Sequence, residues 1–184
     1  KGKIRADIDD MLLREMNSGE LKALIAVSAD FYGPRAEKTS VAGIMIFDKM
    51  KKGKSAQWFV NPNQPHSFTY TPDAAIALYM LAGNENAYGQ IWHLPTAKPA
   101  LTGIEFINIA AKYMHAKNKV QVLPKWLIGI IGLFVPVMKE LGEMLYQNEL
   151  PYVFDSSKFE NAFQFKPTPY EEGIRKTAEW WLAS

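Results

Sequence analysis

Leu24-Ile25-Ala26-Val27-Ser28-Ala29-Asp30-Phe31-Tyr32-Gly33-Pro34 is the stretch whose reading decides the fold. Its first four residues form a short unbroken apolar run, the mark of a strand buried on both faces, as in a parallel sheet. Residues 29–34 then read as a loop, since Gly33 and Pro34 interrupt regular structure. Upstream, Ile4, Ile8, Met11 and Leu12 recur at helical spacing until Asn17-Ser18-Gly19 ends the pattern, which predicts an amphipathic helix over residues 5–16.

Downstream the alternation continues. Residues 41–50 are helix-like, and Lys51-Lys52-Gly53-Lys54 turns the chain. Residues 57–60 and 67–71 are strand-like on either side of Asn61-Pro62-Asn63-Gln64-Pro65. Thr71 reads as an N-cap with Pro72 in the first helical position, where a missing N–H costs nothing, and the helix runs to about Leu81. Residues 91–94 read as another short strand. Thr102 with Glu105 forms a capping-box pattern for a helix through about Met114. Thr168 with Glu171 repeats that pattern, Pro169 taking the first position, and Ile174, Thr177, Ala178 and Trp181 then share one face. Strands alternating with helices imply an α/β layer arrangement with a largely parallel sheet. The sequence has no internal repeat, low-complexity tract or evident linker.

Composition bounds the function. With 184 residues, 48% hydrophobic and 22% charged, the chain has an ordinary globular balance and one domain is expected. The formal net charge of +2 is spread along the chain, which argues against nucleic acid as a partner. Cysteine is absent, which excludes disulfides, thiolate metal sites and a cysteine nucleophile. His93 and His115 have no second histidine or carboxylate at ligand spacing. The longest apolar run, residues 126–138, has 13 residues with Gly129, Gly132 and Pro136 inside it; it is too short to cross a bilayer as a helix and reads as a buried or lipid-surface helix, while the aromatic and methionine content of residues 126–146 reads as core packing, or else as a substrate wall or partner-helix face. The first residues lack the zones of a signal peptide, so a cytoplasmic location is expected. The chain opens Lys1-Gly2-Lys3 instead of with Met, so a longer parent protein is expected.

Four segments carry a more specific signal. Lys1-Gly2-Lys3-Ile4-Arg5 leads through the helix and strand to Asp30-Phe31-Tyr32-Gly33-Pro34. His66-Ser67-Phe68-Thr69-Tyr70-Thr71-Pro72-Asp73-Ala74-Ala75 leads into a helix, and Gly89-Gln90-Ile91-Trp92-His93-Leu94 adds a strand. Asp155-Ser156-Ser157-Lys158, then Phe165-Lys166-Pro167-Thr168-Pro169-Tyr170-Glu171-Glu172-Gly173 and Trp180, close the chain. In this order and at these separations they resemble the extended short-chain dehydrogenase/reductases of the NAD-dependent epimerase/dehydratase family. In that family a Tyr-x-x-x-Lys pair begins the helix, the strand commonly ends Asn-x-Tyr-Gly-Pro, and Arg-Asp-Phe-x-x-Val-x-Asp leads into the next helix. Tyr-Gly-Pro alone is a common loop tripeptide; the likeness rests on all four segments, which span nearly the whole chain.

The resemblance implies an α/β fold: the carboxy-terminal part of a doubly wound, Rossmann-type parallel sheet plus a mainly helical substrate-binding region. Residues 1–40 would end the nucleotide-binding core, and residues 41–184 would form the substrate-binding region, with the last core strand near 91–94. The implied activity of the parent is hydride transfer between NAD or NADP and a carbon bearing a hydroxyl or carbonyl, with a small-molecule substrate that for many relatives is a nucleotide sugar. A non-catalytic dinucleotide-sensing protein on the same fold is the alternative. The glycine-rich phosphate-binding turn is absent, so this chain is expected to bind no dinucleotide alone and to depend on a missing amino-terminal Rossmann half.

Residue by residue, Lys1 matches the catalytic and ribose-binding lysine, its tyrosine lying three residues upstream; alternatively it is a terminal lysine without a role. Ser28 and Ala29 would offer backbone groups to the cofactor. Asp30 would meet substrate hydroxyls, or only cap the Gly33-Pro34 turn. His66 and Tyr70 would face the substrate, or be an exposed turn histidine and a packed strand tyrosine. Departures from the pattern are Val27 and Ser28 for an Arg and an aromatic residue, Asp30 for Asn, and His66-Ser67 for Arg-Asp. They mark a divergent branch, to which a nucleotide-sugar substrate does not simply carry over. The topology further predicts that the strands at 24–27 and 91–94 are parallel neighbours. The free edge of the first should be covered by another copy or by rearranged local structure, since an open edge templates pairing.

Overall fold

A computed structural model describes residues 2–37, 39–132, 142 and 144–184. The first helix, α1 (Gly2–Ser18), forms where the spacing predicts it and leads to strand β1 (Ile25–Val27). After Ser28 and Ala29 a second strand, β2 (Asp30–Tyr32), follows. A π-helical segment (Gly43–Phe47) runs into α2 (Asp48–Lys51), then come β3 (Ala56–Phe59), β4 (Pro65–His66), β5 (Phe68–Tyr70) and α3 (Thr71–Ala82). The chain continues through β6 (Ile91–His93), β7 (Leu101–Thr102), α4 (Gly103–Tyr113), β8 (Val120–Leu123) and α5 (Lys125–Gly132). It ends with α6 (Tyr146–Glu149), α7 (Ser157–Phe163) and α8 (Tyr170–Ala183).

The strands pair two by two. β1 and β6 are parallel with Ile25 opposite Ile91 and Val27 opposite His93, the predicted neighbours. β2 is parallel to β5 and β3 to β8, whereas β4 and β7 are antiparallel. The fold is thus the mixed α/β arrangement with parallel pairs that the alternation implied. One core gathers Tyr32, Phe47, Trp58, Phe68, Phe106 and Trp181; a second joins Leu81, Trp92 and Phe159.

Several local expectations are corrected. Residues 29–34 are not all loop: Asp30–Tyr32 pairs with Phe68–Tyr70, and the chain breaks only at Gly33. Gly33 has φ +147°, and a Cβ there would run into the Thr71 side chain, so a close approach and a strained backbone both demand glycine. The strand predicted over 67–71 forms as Phe68–Tyr70, and a separate short strand, Pro65–His66, precedes it. The Ser67 N–H donates to Tyr152 (2.8 Å) and its hydroxyl accepts from Phe154 N–H (3.0 Å), which diverts the chain between two different strand partners. Tyr70, not Thr71, caps α3.

At the start of α8 no capping box forms. Thr168 instead gives its N–H (2.7 Å) and its hydroxyl (2.8 Å) to the buried carboxylate of Asp73 in α3, and Glu171 accepts from Lys112 and Tyr113. The Thr102–Glu105 box does form, both hydrogen bonds being present. The face of α8 carrying Ile174, Thr177, Ala178 and Trp181 is buried as its spacing predicts.

β1 is half-buried instead of buried on both faces, because among the described residues only β6 flanks it; no local rearrangement supplies a second strand. On α1 the apolar stripe lies open, with Ile4 at 63% and Met11 at 49% exposure. The helix predicted across residues 126–138 is described only as far as Gly132; there Ile128 is buried, while Trp126 and Ile130 are exposed. Its remainder lies outside the described residues. No helix among them is long and apolar enough to cross a membrane.

Two measurements test this packing. A Cβ at Gly173 would collide with the Tyr32 hydroxyl. Gly173→Ala should therefore destabilise the fold by about 1–3 kcal/mol, the usual cost of overpacking a dense core, read as a lower urea midpoint. Asp155 accepts from Ser157 N–H and Lys98, and these bonds hold its carboxyl at about 2, below the ordinary 3.8. A depressed carboxyl stabilises above its unfolded value, and this contribution vanishes as the pH falls through the folded one. Between pH 5 and pH 2 the wild type should thus lose more stability than Asp155→Asn, as followed by circular dichroism.

Candidate functional site

The carboxyl end of β1 is where an open α/β sheet places its ligand crevice. Ser28 and Ala29 leave the strand there. Ser28 is half-buried; Ala29 is buried, and its N–H is already committed to the Thr69 hydroxyl at 3.1 Å. Alternation in β2 then puts Asp30 and Tyr32 on one face and the exposed Phe31 on the other. Tyr32 locks into the core. Asp30, its side chain 37% exposed, reaches solvent.

Asp30 Oδ2 lies 2.8 Å from Nε2 of His66, whose side chain is only 3% exposed. An ionised carboxylate can only accept, so Nε2 is the donor. The imidazole packs on Phe68 and Tyr152 with centroids at 4.8 and 4.9 Å, and edge-on to Trp58 at 5.6 Å. Its Nδ1 is buried with no hydrogen-bond partner among the described residues. Tyr152 bridges to His66 through the backbone; burial pushes its phenol up, with the charge of Asp30 adding to the effect.

This pair heads a narrow, partly open cleft. Val41, Met45 and Ile46 form one wall and Trp58, Phe59 and Phe68 the other, with Gln57 and Asn148 as further polar groups. A second recess shares Asp30, Val41, Phe59 and Asn148 and reaches Met144 and Gln147. The helical wall is fixed to β2: the Ser40 hydroxyl donates to the Phe31 carbonyl and accepts from Gly43 N–H (3.0 Å). The π-type turns begin at Gly43, and such turns recur beside functional sites.

The structure therefore brings Asp30 and His66 together, with Ser28 and Ala29 just behind. Asp30 faces the cleft and reaches His66, which is neither exposed nor in a free turn. Tyr70 lies elsewhere: it packs on Tyr32 at 5.2 Å and lines neither recess, and burial raises its phenol. Lys1 lies outside the described residues. Gln57, Asn148 and Tyr152 carry no motif, and only the strand pattern at 57–60 hints that one of its faces meets a site. Among the described residues no group of three His, Cys, Asp or Glu side chains is placed to hold a metal ion.

No family model matches this sequence, and no curated protein matches it. Solved structures do. UDP-glucose 4-epimerase from Thermus thermophilus, in complex with NAD, superposes with TM-score 0.72 at 18% identity, over 97% of this chain and 52% of its own. dTDP-glucose 4,6-dehydratase from Bacillus anthracis str. Ames, also with NAD, gives 0.71 at 14%, over 96% and 49%. UDP-glucuronic acid 4-epimerase from Bacillus cereus, with UDP-glucuronic acid and NAD, gives 0.65 at 16%, over 89% and 46%. The chain spans about half the length of each of these proteins. It has, accordingly, the fold of the carboxy-terminal portion of the extended short-chain dehydrogenase/reductases.

Proposed function

We propose that this chain is the substrate-binding portion of an NAD(P)-dependent epimerase, dehydratase or reductase acting at a carbon that bears a hydroxyl or carbonyl. The observation that carries this reading is the Asp30 carboxylate at the head of an apolar cleft, beyond the carboxyl end of a parallel strand, held by a buried histidine. The neighbours crystallised with NAD, all on this fold, support the general kind of activity. A carboxylate so placed accepts hydrogen bonds from a substrate hydroxyl, and His66 fixes its direction so that little ordering is left for binding to supply. The walls exclude water around the bound carbon skeleton.

The residues present do not by themselves fit a dinucleotide. The sequence has no glycine-rich turn to cradle a pyrophosphate, and the Ala29 N–H is spent on Thr69. Holding the cofactor falls to a nucleotide-binding half outside this chain, and the acid/base pair to Lys1 with a tyrosine three residues before it. The unpaired edge of β1 and the open stripe of α1 are the surfaces against which that half, or a second copy, would pack.

Two experiments test this reading. Calorimetric titration of the 184-residue chain with NAD or NADP should show no micromolar binding, and micromolar affinity would overturn the division of labour. In the complete protein, Asp30→Ala should lower kcat/KM for substrate about 10- to 100-fold, the scale of a hydrogen bond to a charged group, with cofactor affinity unchanged. Wild-type constants would reduce Asp30 to a structural partner of His66.

A further inference from the structure

Two of the departures from the family pattern, Asp30 for Asn and His66 for Arg, are 36 residues apart in sequence, yet they are the two side chains that meet at 2.8 Å at the head of the cleft. The pattern's asparagine and arginine together carry one fixed positive charge. Aspartate and histidine carry one negative charge when the imidazole is neutral and none when it is protonated. In either state the pair has lost at least one unit of positive charge, and the outward-facing member is the carboxylate. His66 cannot restore it to a ligand: its side chain is 3% exposed, and Nε2 is spent on Asp30.

The rest of the cleft agrees. Its walls are aliphatic and aromatic, and no described residue lining either recess is a lysine or arginine. The polar lining is otherwise amide: Gln147, Asn148, and Gln57, which is held by a bond to the Gln121 side chain (3.0 Å). A diphosphate entering here would meet a carboxylate in partly dehydrated surroundings, and like charge at such a site is disfavoured. A hydroxyl would meet an acceptor, and an apolar body would find matching walls.

We infer that this cleft takes an uncharged, hydroxyl-bearing ligand with an apolar body, and that the Asp30–His66 pair selects it against nucleotide diphosphates such as those named for the structural neighbours. The inference rests on the reading of this cleft as the substrate site. The test uses two probes that share a glucosyl group and differ in the charged part: 4-nitrophenyl glucoside, which is neutral, and UDP-glucose. Binding to the full chain is followed through the Met45 and Ile46 methyl resonances, so that only occupancy of the cleft is counted.

The wild type should bind the neutral glycoside at least tenfold more tightly than UDP-glucose. Asp30→Asn keeps the shape and removes the charge; it should strengthen UDP-glucose binding about tenfold and weaken the glycoside, and unchanged circular dichroism would certify its fold. If wild type prefers UDP-glucose in the cleft, or Asp30→Asn leaves the ratio of affinities unchanged, the charge argument is overturned while the substrate site stands. If neither probe perturbs the Met45 and Ile46 resonances, the substrate-site reading falls and this inference falls with it.

Discussion

The pairing of β2 with β5 around Tyr32 is the constraint on which the remaining structure depends. Tyr32 is opposite Tyr70 in register, and its ring packs against Phe68, Tyr70, Phe106 and Tyr170, so that it touches β5, α4 and α8 at once. It is 1% exposed, and its hydroxyl, unpartnered among the described residues, is forced well above the ordinary phenol range by burial. A strand of three residues has little hold of its own. What fixes its rotation is this ring, and strand alternation then gives Asp30, two residues earlier, no choice but the same face. The direction of the Asp30 carboxylate at the head of the cleft is thus set by an aromatic cluster, one member of which, Phe68, also lines the cleft.

What the sequence made legible, and what it hid, follows from the range of the interactions involved. α1, α3 and the Thr102–Glu105 box were readable because their determinants lie within a few residues of one another. The pairing of β1 with β6 was readable through the ordered segments, not through any local property of Ile25–Val27. β2 was missed because its strand character comes from Phe68–Tyr70, nearly 40 residues on, and a Gly-Pro break close by masks it. Thr168 looked like a cap, but a buried aspartate 95 residues away offered both its oxygens. Of the site, Asp30 and His66 were visible as departures from a pattern, although their contact was not; Tyr70, two residues before Pro72 in the same segment, points into the core. Asn148 sits in a four-residue helix with no sequence mark at all.

Fold and specificity separate cleanly in this molecule. The α/β frame, with its parallel pairs and helices, is shared with proteins at 14–18% identity, so very little of it depends on particular side chains. Hydrophobic pattern and turn chemistry suffice for that. The electrostatic character of the cleft, by contrast, rests on two side chains carried by two short strands. Asp30, the solvent-facing member, can change without disturbing the aromatic packing around His66, so a common frame is compatible with clefts of different charge.

The clasp between Asp73 and Thr168 has a temporal meaning. It ties the start of α3 to the start of the last helix, which then lays Gly173 against the Tyr32 hydroxyl and closes the aromatic cluster from outside. During synthesis, Asp30 emerges long before Gly173. Its strand, its partner strand and His66 are all extruded while the face that locks Tyr32 is still missing. Phe68, Tyr70 and Phe106 are by then in place, but the side of the cluster that the last helix closes is not, so a chain stopped short of that helix would carry the residues of the site in an unfinished pocket.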